Sequence, residues 1–271
     1  MKLEPCYPAP LAEVTLTAPV LRILVAAGLA ISWERPAWAE DLTVVINGSG
    51  SGRNATLTEY VSGDQVRIAE EAVDTIYDTA RGRIVRMNTR EKTYFETSRQ
   101  EIEAGLATAS HKVDANTGAK AEPNPATKVS GPVTTDKRSG VKRIAGYVCE
   151  PYVLSMGDDV KWEVWVARDL EAPAQLYEAQ VLAAARMGRL GARLVAMLQE
   201  LRKIKGMPMS QARAERQGSM LSVYTIQVAD VRKGPLPAAS FQVPAGYKKT
   251  ESPYVRMRRP LPTAPPSPAN N

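Results

Sequence analysis

Side chains able to carry out chemistry are sparse in this sequence. Histidine occurs once, at His111, and cysteine twice, at Cys6 and Cys149, in a chain of 271 residues. A nucleophile of the triad type needs a base beside it, and His111 lies in a stretch rich in Ala, Asn, Lys and Pro where an inert imidazole is the plain reading. Zinc needs clusters of Cys and His, and calcium needs several spaced oxygens, whereas Asp158-Asp159 alone reads as a turn. Glu163 near Lys161 reads as a cross-strand ion pair, not as half of an acid–base couple. Cys149 alternates with Tyr147 and Pro151, the pattern of a small buried apolar residue, and as a redox thiol it would lack a resolving partner. The reading is therefore of a non-enzymatic protein, with no catalytic residue, no metal site and no cofactor.

The elements that would position these residues centre on the stretch 142–170. β-Branched and aromatic residues fill two arms around Met156-Gly157-Asp158-Asp159, which predicts an antiparallel hairpin. Upstream, strands are expected at 42–46, 56–61, 65–70, 73–78, 83–88 and 92–97, with turn clusters such as Ser62-Gly63-Asp64 between them. The glycine-rich run at 47–52 lacks a following helix and a Walker lysine, so it reads as a flexible hairpin loop. Ser98 with Glu101 forms a capping-box signature for a helix over 98–107, and 109–131 reads as a loop. The longest helical segment is 172–205, with a break expected near Gly188 and Gly191. Leu190, Leu194, Met197 and Leu201 make its apolar stripe, and Arg186, Arg189 and Arg193 a solvated face. Further strands are expected from Met207 to Arg216 and from Ser219 to Val231.

The ends of the chain read differently. Residues 20–31 form an apolar run, followed by Pro36 and by Ala37 and Ala39 at the spacing of a signal-peptide cleavage site. The run is shorter than the roughly 20 apolar residues a membrane span needs. The expected domains are a signal peptide over 1–39, with a possible extension ahead of it, a folded domain over 40–249, and a disordered Pro/Arg-rich tail over 250–271. Cleavage near Ala39 would make the protein periplasmic or secreted, with no integral membrane segment in the mature chain. The formal charge of +6 survives the cleavage, because residues 1–39 hold as many acidic as basic residues. Lys and Arg are spread along the chain without a recognition motif, so nucleic acid is not an expected partner. Oligomeric state is left open.

Four motifs in order, at 143–150, 163–169, 206–208 and 241–248, together resemble a bacterial exported family of unknown function related to the outer-membrane lipoprotein carriers. The resemblance runs over about 44–248. It implies an α+β fold in which a strongly curved antiparallel sheet, a half-barrel, wraps around helices. Such a sheet would be plugged by helices 98–107 and 172–205. Met187, Leu190, Leu194, Met197 and Leu201 would then face Tyr152, Leu154, Trp162 and Val164 across the concavity. Complete packing there would make a core, and loose packing an adaptable apolar pocket suited to acyl chains. The expected partner is a lipid or an acylated protein held between sheet and helices. The alternative is a filled structural or sensory envelope module acting through its C-terminal tail.

Overall fold

Alternation of side chains along the strands sets the architecture. In β1 (Leu42–Gly50) the residues Leu42, Val44 and Ile46 are buried while their neighbours are less so, and each faces an apolar or buried residue of β2 (Arg53–Ser62). The register pairs Leu42 with Val61, Val44 with Glu59 and Ile46 with Leu57, which lie on one face because cross-strand partners share a side of the sheet. The computed structural model describes residues 40–50, 53–117, 131–187, 189–217 and 220–259, and these belong to one compact unit.

The meander continues through β3 (Gln65–Ala69), β4 (Val73–Asp78), β5 (Arg83–Asn88) and β6 (Thr93–Ser98). Helix α1 (Arg99–Thr117) follows, then β7 (Val133–Lys137), β8 (Lys142–Ile144), β9 (Tyr147–Met156) and β10 (Val160–Ala167). Helices α2 (Ala174–Ala185) and α3 (Arg189–Leu201) precede β11 (Met207–Gln217) and β12 (Met220–Lys233). A short 3₁₀ turn (Ala238–Phe241), β13 (Lys248–Lys249) and helix α4 (Pro253–Arg258) complete the described chain. The strands join in one sheet, ordered β13-β6-β5-β4-β3-β2-β1-β12-β11-β10-β9-β7, with β8 pairing only with β9. Pairings are antiparallel except β13 with β6, and the order does not close on itself. The result is a large, curved, unclosed sheet with a few helices, in keeping with the curved antiparallel sheet expected from the sequence.

β10 and β11 are neighbours, Ala167 pairing with Met207, so α2 and α3 form an excursion that leaves the sheet and returns beside the strand it left. Gly206 makes the return: its φ is +119°, and a Cβ there would come within 2.3 Å of the Ala167 carbonyl oxygen. The two helices cover the inner face in two clusters. Leu176, Ala179 and Leu182 of α2 and Ile102 of α1 pack with Leu42, Val44, Val61, Val66, Tyr77 and Ile84. Tyr177 of α2 and Met197, Leu198 and Leu201 of α3 pack with strands β9 and β10. On the outer face, Ile76, Val85 and Met87 are covered by Tyr94, Val243 and Tyr247, so the C-terminal segment shields β4 and β5 from behind.

Several elements differ from the sequence reading. The glycines at 48 and 50 lie within β1 and not in a loop; the ring of Tyr224 on β12 lies against both positions, where a Cβ would approach it within 2.9 and 2.6 Å. The first arm of the central hairpin is split by a two-residue turn at Ala145 and Gly146, both with positive φ, which suits the strand twist and creates β8. Helix α1 runs on to Thr117 through residues expected to be a loop, because from Leu106 to Thr117 the chain contains neither Gly nor Pro and several alanines. The stretch expected to be disordered from 250 is ordered in part, over 250–259: Thr250 donates to the Tyr94 carbonyl, and Ser252 caps α4, which packs on α1. Residues 1–39, with the expected signal peptide, and 260–271 lie outside the described residues. Among the described residues no helix is long and apolar enough to cross a membrane.

Candidate functional site

The helical excursion does not fill the space above the middle of the sheet. Where α2 faces β1, β2, β11 and β12, a cavity of about 220 Å³ remains. Its helical wall is Leu176, Tyr177, Gln180 and Ala183 of α2 with Leu194 and Leu198 of α3; its sheet wall is Ile46, Leu57, Glu59, Met207, Met209, Gln211, Ile226 and Val228. Two causes are visible. Ala172 and Ala183 present only methyl groups to the space, and close contact between the helices leaves them no freedom to settle deeper. A Cβ at Gly191 of α3 would sit 2.0 Å from the Ala184 carbonyl oxygen of α2. A space of roughly 150 Å³ accepts benzene, so this cavity has room for one short apolar chain or ring.

The walls are apolar apart from a few groups. Glu59 is 6% exposed, and among the described residues its carboxyl has neither a hydrogen-bond nor an ion-pair partner. Burial pushes that carboxyl up to about 7, because water no longer stabilises the charged form. The Tyr177 hydroxyl is also buried without a hydrogen-bond partner, and burial pushes it up to about 12, with Arg202 opposing, so it stays protonated. Gln211 is occupied: its Oε1 accepts from Nε and Nη2 of Arg213 at 3.1 and 2.6 Å. The Arg213 guanidinium lies 4.2 Å from the centre of the Trp162 ring. Tyr224 stands at the rim, 41% exposed. A second cavity of about 310 Å³ lies beyond Tyr177 and Leu198, with the more polar lining of Thr79, Arg99, Glu178, Gln199 and Arg202.

The residues named from the sequence occupy three kinds of place. Tyr152, Leu154, Trp162, Val164, Met197 and Leu201 come together as one buried cluster. Leu194 packs on that cluster and also lines the cavity. Met187 lies just past the end of α2 and is half exposed, and the side chain of Leu190 lies outside the described residues. The cavity opens one pair of strands further along the sheet, so Glu59, Tyr177, Met207, Met209, Gln211 and Arg213 join the site without having been singled out. One signal was present: Glu59 occupies the middle of the inward row Leu57, Glu59, Val61, where a charged residue interrupts an apolar face.

Other chemistry-bearing groups are structural. Cys149 is fully buried in the first cluster, and burial pushes its thiol up, which disfavours the reactive thiolate. Lys161 and Glu163 form a 3.2 Å ion pair, but within β10, both side chains pointing outward. Glu150 accepts from Lys137 at 2.8 Å and from the Tyr152 hydroxyl, itself contacted by Arg168 at 3.0 Å; the hydrogen bond from Lys137 holds the carboxyl below its usual range. Among the described residues no group of acids, histidines and cysteines could hold a metal ion.

Fold and cavity together define a curved antiparallel sheet that encloses a helical hairpin over a mostly apolar space. Residues 116–247, just under half of the chain, match the sequence model of a domain of unknown function, DUF4412. No curated protein matches the chain. Among solved structures, the chain is similar to MucB, at 13% identity and a TM-score of 0.38 over 76% of this chain and 58% of that one. It is similar also to the MucA/MucB complex of Pseudomonas aeruginosa (16%, TM-score 0.35, 76% and 56%) and to MucB with periplasmic MucA (16%, 0.32, 76% and 54%). The chain thus spans little more than half the length of these structures. Likeness at this level carries no function across, which leaves the cavity itself as the ground for one.

Proposed function

We propose that this protein is a non-enzymatic binding protein of the bacterial envelope that holds a small apolar ligand, or the apolar part of a larger one, between the α2–α3 hairpin and the sheet. The cavity supports this reading more than any other feature. Interiors are packed at the density of organic crystals, with few voids larger than a water molecule, so 220 Å³ lined by Leu176, Met207, Met209 and Val228 is unusual for a simple core. Two methionines in the lining add adaptability, since thioether chains re-pack at little cost. The volume lies below the roughly 300–1,000 Å³ of sites for drug-sized ligands, which favours one short chain over a multiply acylated anchor. The envelope assignment rests on the export signal read from residues 20–39.

Methyl spectra of protein labelled at methionine, titrated with 1-hexanol, test the reading. Met207 and Met209 should shift while Met156, buried in the second cluster and outside the cavity lining, should not. Ala183→Leu, which puts three more carbons into the cavity, should suppress those shifts. Absence of any shift, or shifts untouched by Ala183→Leu, would defeat the proposal.

A further inference from the structure

Binding of an apolar ligand does not account for an acid in the cavity wall. Among the described residues no neighbouring element brings a counter-charge to Glu59. Its register partners are Val44 on β1 and Ile68 on β3. Arg67, one residue away on β3, pairs across with Tyr60 on the other face and is held there by Asp74 and the Ser240 carbonyl. Around the cavity, α2 contributes Tyr177 and Gln180, α3 contributes Leu194 and Leu198, β12 contributes Tyr224, and β11 contributes Arg213, which is bound by Gln211 and stacked on Trp162. Burial without a compensating charge is the whole cause of the raised carboxyl. An uncompensated buried carboxyl costs stability, and a protein that keeps one at a cavity wall holds a polar group ready for something that enters.

We propose that Glu59 is the polar anchor of the cavity, and that the preferred ligand is a small amine-headed apolar molecule whose ammonium meets the Glu59 carboxylate. The inference rests on the cavity being a binding site. An ammonium brings the counter-charge that Glu59 lacks, and its donors serve the two carboxylate oxygens. A hydroxyl head supplies a hydrogen bond but no charge, and a carboxylate head meets like charge. Proton linkage gives the binding a signature: the amine arrives protonated, and Glu59 must release its own proton to receive it. With the carboxyl at about 7, the ionised fraction rises about tenfold between pH 6 and pH 8, and amine affinity rises with it.

Calorimetric titration of the full chain with hexylamine, 1-hexanol and hexanoate, at pH 6 and pH 8, tests this. At pH 8 hexylamine should bind about tenfold or more tighter than 1-hexanol, an advantage that should shrink about tenfold at pH 6. Glu59→Gln should bring hexylamine down to the level of 1-hexanol. Glu59→Leu should do the same, which keeps the test open should one variant fold poorly. Equal binding of amine and alcohol at pH 8, preference for hexanoate, or an amine affinity indifferent to both variants would each overturn the anchor while leaving the apolar site standing. Binding of none of the three chains would overturn both.

Discussion

Glu59 of β2 and Tyr177 of α2 line one cavity from its sheet wall and its helical wall, and burial raises the pKa of both side chains. The arrangement sets the polarity of the space and places a titrating group at its boundary. Stability and binding therefore both depend on pH through one side chain.

For stability the sign is unfavourable to high pH. The folded protein holds the Glu59 proton up to about 7, whereas the unfolded chain releases it near 4.5, so the stabilising contribution is present below about pH 4.5 and is lost as pH rises through about 7. The shift corresponds to roughly 3 kcal/mol as an order of magnitude. Glu59→Gln should flatten this part of the pH profile and raise the melting temperature above pH 7 relative to the unmodified protein. Thermal unfolding followed by circular dichroism between pH 4 and 8 checks it, and a steeper slope in the variant would contradict the assignment.

Close helix contact makes a second prediction at Gly191. In an open helix Gly→Ala gains about 1 kcal/mol. Here the new methyl would meet the Ala184 carbonyl oxygen at 2.0 Å, so Gly191→Ala should instead destabilise by about 3 kcal/mol as the α2–α3 pair is forced apart. Denaturant titration reads the sign directly.

Gly105 plays the same part between α1 and α4. A Cβ there would lie 2.8 Å from the Tyr254 carbonyl oxygen. Gly105→Ala should loosen α4 at a cost of about 1–2 kcal/mol and hasten tryptic cleavage after Arg256 and Arg258, with the sheet intact. Mass mapping of early fragments would show it.

Cys149 should be silent until the fold opens. In a Cys6→Ser background, a thiol reagent such as dithionitrobenzoate should react in step with global unfolding in denaturant, because the sulfur is fully buried and its thiolate disfavoured. Rapid reaction in native buffer would contradict that burial.

Much of the local structure was legible in the residues because it is decided locally. The strands of the first meander fall within a few residues of their expected limits, since glycine, aspartate and asparagine turns end them and period-two alternation fills them. Ser98 and Glu101 form the expected capping box, Ser98 Oγ accepting from the Glu101 backbone and Glu101 Oε2 from the Ser98 backbone. The break between α2 and α3 also falls close to its expected place, between Ala185 and Arg189, although Gly191 lies inside α3. Less legible were β7, a polar edge strand with little apolar signal, and the turn that separates β8 from β9.

What the chain alone determined is its set of elements and the face each one turns inward, because both follow from contacts within a few residues. Tertiary structure decided the site. β1 pairs with β12 across some 180 residues of sequence, and that pairing brings Met207, Met209, Gln211 and Arg213 near Glu59. A space is bounded by every element around it, and whether α2 fills it depends on alanines and one glycine contact whose partners lie far apart along the chain. Periodicity could show that Glu59 points inward; only the assembled sheet and hairpin leave it facing a cavity instead of a packed neighbour.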